Sequence, residues 1–423
     1  MDPSLILLFC LLLGGLALTL HIGTAIGVAV LAACWYNDIP FALLVQKCYD
    51  TFDSFPLMAL PFFVLAGDIM QRGSMARALL DFASTLVRHI TGGLSLVSVL
   101  TCLFYGALCG SPPATTAAVG GILIPPMEKE GYSKTFATSV NSASGCLGAL
   151  IPPSTPAIIF GATAGCSISD LFIGGILPGI VTGVAFMVLS AWISARHHYG
   201  IKAPRATARE RLTAAWNARW ALIVPFIVLG GIYTGITTPT EAGVVAAVYA
   251  LLAETFINKT MTPRKVVEIF TSTIKTTGMI FYVIIMATAM GILLISQNAD
   301  AVVADMFASI STNAHVQFFL VATLILILGT FMEPGSIILL MTPILLPVVA
   351  ACGMDPVHFG VIMVYGTVVG NITPPVGLNL YVGCGLSDIP FAALSRAILP
   401  YIWVMLIIYY VLVYMPQFAL FLL

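Results

Sequence analysis

Charged side chains are scarce in this sequence: 8% of its 423 residues are Asp, Glu, Lys or Arg, whereas 59% are hydrophobic. A soluble globular protein usually has about a quarter of its residues charged. The composition therefore excludes a soluble domain and predicts an all-α polytopic membrane protein. The formal net charge of -1 also argues against nucleic acid as a partner.

The residue patterns of metalloenzymes and hydrolases are also missing. The nine cysteines lack CxxC spacing and lie mostly in apolar runs, which is typical of small buried residues. No Cys/His set or carboxylate pair has the spacing of a transition-metal site. Ser144 in "NSASG" has no histidine in its own predicted broken helix, 134–163, so we predict that the protein is not an enzyme. The apolar N-terminus lacks a basic region and a cleavage site, and we expect a retained span.

What the sequence does contain is an internal repeat. A shift of 222 residues places Gly370 on Gly148 and the pair Pro374-Pro375 on Pro152-Pro153. Ordered matches of this kind run along a whole half of the chain, as in duplicated transporters. We therefore predict repeats at 1–200 and 217–423, joined by a cytoplasmic linker at 201–216.

The apolar runs predict about five crossings per half, which is an odd number and so inverts the second repeat. In the first half we predict scaffold spans within 1–36, an arm at 39–52, a span at 55–71, a re-entrant hairpin at 93–127, a broken helix at 134–163 and a span at 172–195. In the second half we predict scaffold spans within 220–257, an arm at 261–276, a span at 277–295, a hairpin at 315–350, a broken helix at 356–385 and a span at 397–421. The arms would connect the static scaffold to a mobile unit of hairpins and broken helices, as in an elevator-type carrier.

The basic residues orient this arrangement. With both termini outside, every lysine and arginine except Lys47 falls on the inner face, as the positive-inside rule requires. The sequence therefore predicts about ten crossings, two re-entrant hairpins and two external termini.

Proline interrupts the predicted helices near mid-membrane, where a break is tolerated only beside protein or water. Each break exposes N–H groups at one helix start and carbonyls at the preceding helix end, so such a site can hold an anion and cations together. We predict that the anion lies at Pro112, Thr115, Ser154, Thr155, Gly335, Ser336, Gly377 and Asn379. Neutral oxygens suit Na⁺, and we predict cation sites among Ser111, Asn141, Ser144, Gly148, Ala149, Ile151, Glu333, Ser336, Thr367, Gly370, Asn371 and Thr373.

Few charges lie inside the spans, and they leave alternatives open. No lysine or arginine lies within a span, so the helix ends must attract the anion unless Arg72 or Arg88 reaches it from the inner face. Glu333 either belongs to an ion or substrate site or caps the N–H groups of the second hairpin arm. Because Glu333 could titrate, a proton-coupled carrier is the alternative to a Na⁺-coupled one, followed by an ion channel.

Five stretches resemble the large membrane subunit of tripartite ATP-independent periplasmic (TRAP) transporters: "DSFPLMALPFFVLAGDIM" (53–70), "GSPPATTAAVGGILIPPM" (110–127), "IPPSTPAIIFG" (151–161), "TPTEAGVVAAVYAL" (238–251) and "GNITPPVGLNLYV" (370–382). The resemblance implies an elevator-type secondary transporter in a bacterial inner membrane, with both termini periplasmic. It also implies Na⁺-coupled uptake of an organic anion, a carboxylate or sulfonate, from a periplasmic substrate-binding protein. A separate small four-helix membrane subunit is the other expected partner.

Overall fold

A computed structural model describes residues 3–18, 20–201, 203–297, 302, 306–307 and 309–423. Within these ranges every regular element is a helix, and no strand occurs. The side chain of Lys47, the one basic residue predicted on the outer face, lies outside the described part of the chain.

The first half contains eleven helices in its described residues. In chain order they are α1 (Pro3–Ala17), α2 (Ile22–Tyr36), α3 (Phe41–Phe52), α4 (Ala59–Arg72), α5 (Met75–Val87), α6 (Gly93–Cys109), α7 (Pro112–Lys129), α8 (Lys134–Gly145), α9 (Leu147–Leu150), α10 (Thr155–Ala164) and α11 (Ile168–His197). A single 3₁₀ turn, Phe55–Met58, leads into α4.

The described residues of the second half form ten more helices. They are α12 (Ala208–Tyr233), α13 (Pro239–Leu252), α14 (Pro263–Ser296), α15 (Ala314–Gly329), α16 (Pro334–Ala351), α17 (Pro356–Gly370), α18 (Leu378–Ser387), α19 (Phe391–Ala397), α20 (Leu399–Tyr414) and α21 (Pro416–Leu420). A π-helical segment, Ala253–Ile257, extends α13.

Two helical hairpins are formed by α6 with α7 and by α15 with α16. We call residues 109–114 the first tip and residues 330–336 the second tip. Gly110 ends α6 with a φ of 62°, a conformation that costs glycine little. Proline then opens both second arms, at Pro112 and Pro334, where its missing N–H breaks no helical hydrogen bond.

The two broken helices pack against these hairpins through glycine. The first is interrupted at residues 151–154, between α9 and α10, and the second at residues 371–377, between α17 and α18. A Cβ on Gly106 of α6 would lie 2.9 Å from the Cα of Gly148, so the two backbones are in direct contact. Gly329 and Gly370 make the equivalent contact in the second half.

Six of the described helices are long and apolar enough to cross a membrane, or up to eight if each bent pair is one span. The five shorter apolar helices in the described residues are α1, α2, α6, α15 and α17. Of these, α1, α2 and α17 lie within predicted crossings, whereas α6 and α15 are the first arms of the hairpins. The figure of about ten crossings therefore stays a prediction.

Three features differ from the expected pattern. Helix α5 was not predicted, because its 13 residues are too few to cross a membrane. The arm expected at 261–276 is the first part of α14, one continuous helix of 34 residues. The linker expected at 201–216 becomes helical from Ala208, because Thr207 and Glu210 form a capping box there.

Candidate functional site

A cavity of about 400 Å³ lies between the two hairpin tips and a wall formed by α2, α4 and α14, which we call the scaffold wall. The hairpin side includes both tips and the starts of α10 and α18. The opposite side comes from the start of α2, the C-terminal half of α4 and the middle of α14. A cavity of this size accommodates a small organic molecule.

The sequence-predicted site residues divide into two groups. Those that line the cavity are Ser111, Pro112, Thr155, Glu333, Gly335 and Ser336. Those that are not on the cavity surface are Thr115, Asn141, Ser144, Gly148, Ala149, Ile151, Ser154, Thr367, Gly370, Asn371, Thr373, Gly377 and Asn379. The cavity thus unites the hairpin tips, whereas most of the predicted cation ligands lie within the broken helices.

Helix α10 begins with its N–H groups already occupied. The N–H of Thr155 donates to the carbonyl of Gly110 in the first tip, at 3.3 Å. The next residue is proline, and the N–H of Ala157 donates to the hydroxyl of Ser154, at 3.4 Å. Ser154 itself donates to the carbonyl of Ala149, at 2.6 Å. The start of α10 therefore braces the first tip and leaves no free N–H there for an anion.

The second break braces the second tip in the same way. The N–H of Gly377 donates to the carbonyl of Thr330, at 3.3 Å. The N–H of Asn379 turns inward and donates to the carbonyl of Asn371, at 3.0 Å. Each break is therefore hydrogen-bonded to the hairpin of its own half, and neither Thr155 nor Gly377 has its N–H available.

Free N–H groups remain mainly at the second tip. Helix α16 opens with Pro334, and the N–H groups of Gly335 and Ser336 have no acceptor in the described part of the chain. Glu333 makes no side-chain capping bond to them, so the capping alternative for this residue is not formed. Unpaired N–H groups at the start of an 18-residue helix attract anions. Gly335 and Ser336 are therefore the strongest anion-binding candidates.

Two carboxyl groups and one imidazole line the cavity. Among the described residues, no lysine or arginine lines it, whereas Asp68, Glu333 and the imidazole of His21 do. The carboxylate of Asp68 accepts a hydrogen bond from the Thr273 hydroxyl, at 2.9 Å. Arg88, one of the two arginines considered for the anion, pairs with Glu130 at 2.6 Å and does not line the cavity.

A second group of polar side chains is buried in the broken helices without partners. The hydroxyls of Ser142 and Ser144 and both amide atoms of Asn371 are buried and lack a hydrogen bond within the described residues. The amide of Asn379 donates to the carbonyl of Ser142, at 3.2 Å, but its oxygen has no partner. Leaving such a group unpaired costs about 1 to 3 kcal/mol, so these oxygens fit a bound cation or water.

The threonines predicted as ligands already use their hydroxyl protons. Thr115 donates to the carbonyl of Ser111 at 2.9 Å, Thr367 to that of Val364 at 2.9 Å and Thr373 to that of Val369 at 2.8 Å. Such bonds stay within a helix or its end and leave the oxygen lone pairs of Thr367 and Thr373, the two predicted cation ligands, able to face a cation. The hydroxyl of Thr115, which was predicted for the anion, also contacts the thiol of Cys109, at 3.1 Å.

Comparison with known families identifies the chain. Residues 5–418 match the family model described as "Tripartite ATP-independent periplasmic transporter, DctM component". The chain belongs to this family. It is therefore one component of a tripartite membrane transporter, as the sequence motifs predicted.

Proteins with sequences similar to this chain carry transporter names. The chain is 38% identical to the isethionate TRAP transporter permease DctMQ of Oleidesulfovibrio alaskensis, covering 96% of this chain but 64% of that protein. It is 38% identical to the C4-dicarboxylate large permease DctM of Pseudomonas aeruginosa, covering 89% and 88% of the two chains. The sialic acid large permease SiaM of Vibrio cholerae is 36% identical over 91% of this chain and 90% of that protein.

The fold of this chain is similar to that of a transporter of known structure. The crystal structure of the Alcanivorax borkumensis YdaH transporter aligns with a TM-score of 0.63 at 16% identity, covering 88% of each chain. At this identity the similarity describes the fold alone.

The side of the cavity that α4 and α14 form was not predicted from the sequence. Val64, Gly67, Asp68 and Gln71 of α4 all line it. Their spacing of i, i+3, i+4 and i+7 places them on one helix face. The same spacing recurs in α14 at Thr276, Met279, Ile280 and Val283, which also line the cavity. The sequence therefore contained a signal for this side of the cavity: two stretches at helical spacing, each of which contains a polar residue.

Proposed function

We propose that the protein takes up a small organic anion, a carboxylate or sulfonate, by Na⁺-coupled secondary transport. The anion is bound in the cavity between the hairpin tips and is received from a periplasmic substrate-binding protein. A separate small membrane subunit completes the transporter in the bacterial inner membrane. The names of the relatives, which include isethionate, C4-dicarboxylate and sialic acid permeases, support this substrate class.

One observation carries the anion proposal: the free N–H groups of Gly335 and Ser336 belong to residues that line a cavity to which no described lysine or arginine contributes. A helix N-terminus contributes about 0.3 to 1 kcal/mol to anion binding when exposed and up to about 2 kcal/mol when partly buried. The N–H groups of Ala114 and Leu378, which also lack acceptors in the described residues, add to this potential. Because each contribution is modest, bound cations must supply the rest of the affinity.

The coupling cations are proposed to bind behind the cavity, in the broken helices. One would use Ser111, Asn141, Ser144 and the carbonyls of residues 148–151; the other would use Glu333, Ser336, Thr367, Asn371 and the carbonyls of residues 370–373. The unpartnered oxygens of Ser144 and Asn371 support this placement. Hydroxyl, amide and carbonyl oxygens form a hard, weakly charged ligand set that suits Na⁺. A cation there also offsets the repulsion between Glu333 and the anion.

The transport step is proposed as an elevator motion of two inverted repeats, with both termini in the periplasm. In this proposal, the hairpins and broken helices carry the anion past the scaffold. The hydrogen bonds from Thr155 to Gly110 and from Gly377 to Thr330 support a mobile unit that moves as one body. In this orientation the C-terminal end of α4 faces the cytoplasm, so the cavity beside it represents the cytoplasm-facing state.

Uptake by proteoliposomes tests the proposal. The chain is reconstituted with a small membrane subunit and a periplasmic binding protein of this family, and labelled isethionate, succinate and N-acetylneuraminate are offered under imposed gradients. An inward Na⁺ gradient at equal pH should drive accumulation of at least one anion, and a proton gradient without Na⁺ should not.

The proton-coupled alternative has one observation in its favour. Glu333 lines the cavity and has no hydrogen-bond partner among the described residues, so its carboxylate is free to take up a proton. Accumulation driven by a proton gradient in the absence of Na⁺, and lost in Glu333→Gln, would favour this alternative and contradict Na⁺ coupling.

A further inference from the structure

Helix α4 is fastened to the scaffold helix α13 at both of its ends. At its start, the hydroxyl of Thr240 donates to the carbonyl of Phe55 in the preceding 3₁₀ turn, at 2.8 Å. Between the two ends, Gly243 of α13 packs closely against Ala59 and Phe63 of α4. These contacts make α4 part of the static scaffold, although it leads towards the first hairpin.

The other end of α4 is held by a buried carboxylate. Glu254, in the π-helical extension of α13, is fully buried. It accepts the N–H groups of Ser74 and Met75, both at 2.9 Å, at the start of α5. It also accepts the hydroxyls of Ser74 and Thr260. A carboxylate satisfied by four donors at a helix N-terminus is a strong anchor, so the corner between α4 and α5 stays with the scaffold.

Asp68 therefore presents a fixed negative charge to the cavity. It lies one turn before the end of α4, and the Thr273 hydroxyl of α14 holds its carboxylate at 2.9 Å. Glu333, the other carboxylate of the cavity, lies on the second tip and belongs to the mobile unit. An anion carried by the tips meets Glu333 in every position but meets Asp68 only beside this end of α4.

The opposite end of the pathway lacks such a charge. Under the internal repeat, α4 corresponds to the second part of α14, and Asp68 corresponds to Met290. The whole stretch from 286 to 293 contains no charged residue, so a shift of register by a few positions changes nothing. When the tips face this stretch, the anion is free of the repulsion that Asp68 exerts.

We propose that Asp68 is the residue that favours release of the anion into the cytoplasm. This rests on the transport function and orientation proposed above. The Asp68 carboxylate weakens anion binding in the cytoplasm-facing state only, because it stays behind with the scaffold when the tips move. Two unit charges about 7 Å apart in a partly hydrated cavity predict a difference in affinity of about threefold to tenfold.

Half-saturation measured separately on each side of the membrane tests this. Proteoliposomes containing the complete transporter are loaded with the one of isethionate, succinate and N-acetylneuraminate that the wild type transports. In Asp68→Asn, the half-saturating concentration on the cytoplasmic side should fall about threefold to tenfold. The periplasmic value should stay within about twofold, and uptake should slow because release into the cytoplasm becomes slower.

Three variants separate the charge from a structural role. Thr273→Val removes the hydrogen bond to Asp68 but keeps the charge, and it should not increase cytoplasmic affinity. Asp68→Glu should restore the wild-type ratio of the two half-saturation values. Glu333→Gln removes the charge that travels with the anion, and it should change both sides alike.

Three outcomes would overturn the inference, and they are distinguishable. A wild-type protein that moves none of the three anions would refute the proposed function, and the role of Asp68 with it. Active transport with equal cytoplasmic half-saturation in wild type and Asp68→Asn would refute the role of Asp68 alone. An equal gain of affinity on both sides would also refute it, because the charge would then act in both states.

Discussion

The two walls of the cavity differ in what they present to an anion and in how they are held. The hairpin wall offers free N–H groups, at Gly335 and Ser336, and its tips are hydrogen-bonded to the broken helices of their own halves. The scaffold wall presents Asp68 and is fastened to α13 by Thr240 and Glu254. The attracting N–H groups and Glu333 thus belong to the part proposed to move, whereas Asp68, which repels the anion in one state only, belongs to the part proposed to stay. A carrier that must both capture and release one ligand requires such a division.

The largest effect is expected from filling the hairpin wall. Ser336 lines the cavity and is buried at 3% exposure, so Ser336→Trp leaves no room for an anion beside the free N–H groups. Anion uptake should fall more than about 100-fold, because both steric and dipole contributions are lost. Uptake in proteoliposomes measures this, and gel filtration checks that the protein is folded. The control Thr234→Trp places the same side chain at an exposed position outside the cavity.

The hydrogen bonds that attach α4 to α13 should contribute to the free energy of unfolding. Glu254→Ala leaves two backbone N–H groups and two hydroxyls without their acceptor in a fully buried site. We expect a loss of about 2 to 4 kcal/mol in the free energy of unfolding. Thermal unfolding in detergent micelles measures it, and Glu254→Gln, which keeps one acceptor oxygen, should lose less. Equal stability of Glu254→Ala and wild type would mean that α4 is not fastened there.

A matched pair of serines on α8 separates the cation site from ordinary packing. Ser144 and Ser139 are both fully buried, but only Ser139 has a partner, the carbonyl of Phe136 at 2.9 Å. Ser144→Ala should raise the Na⁺ concentration for half-maximal uptake about threefold to tenfold, since one oxygen ligand is lost. Ser139→Ala should leave that concentration unchanged. The same response in both variants would contradict the placement of the cation.

An exposed carboxylate at a helix start gives the smallest effect and a contrast to Glu254. The backbone N–H and hydroxyl of Thr207 hold the pKa of Glu210 below its usual value. A lowered pKa stabilises the folded state above the unfolded-state pKa, and this contribution disappears as pH falls through the folded value. Glu210→Gln should lower the melting temperature by no more than about 2 °C at pH 7. The difference should begin to shrink below about pH 4.3, the ordinary pKa of Glu, and should disappear below the folded-state pKa, whereas a pH-independent difference would contradict this.

Local signals in the sequence predicted the interruptions of the helices. Pro112, Pro334 and the two proline pairs stop helices because they lack N–H groups, and this depends only on neighbouring residues. The internal repeat predicted a second hairpin tip that contains Glu333, Gly335 and Ser336, and these three residues line the cavity. The family followed from short motifs, and the family match agrees.

Long-range contacts account for what the sequence could not predict. The N–H of Thr155 was expected to be free, but its bond to Gly110 depends on how α10 packs on the first tip. The carboxylate of Asp68 accepts a hydrogen bond from Thr273, which is 205 residues away in the sequence. Glu254 anchors a corner 180 residues earlier in the chain. None of these pairings has a periodic signature, because each joins two separately folded segments.

Ligand protection of a single cysteine in the cavity tests the central claim most directly. In a protein without its nine native cysteines, Ala114→Cys places a thiol on the lining beside the first tip. Its labelling rate by a small methanethiosulfonate is compared with that of Thr234→Cys, which lies outside the cavity. The anion together with Na⁺ should slow labelling at Ala114→Cys at least about tenfold, and neither alone should do so. Two results would contradict the claim that the hairpin tips hold an anion with the help of cations. One is a labelling rate that the anion and Na⁺ together do not change, and the other is full protection by the anion without Na⁺.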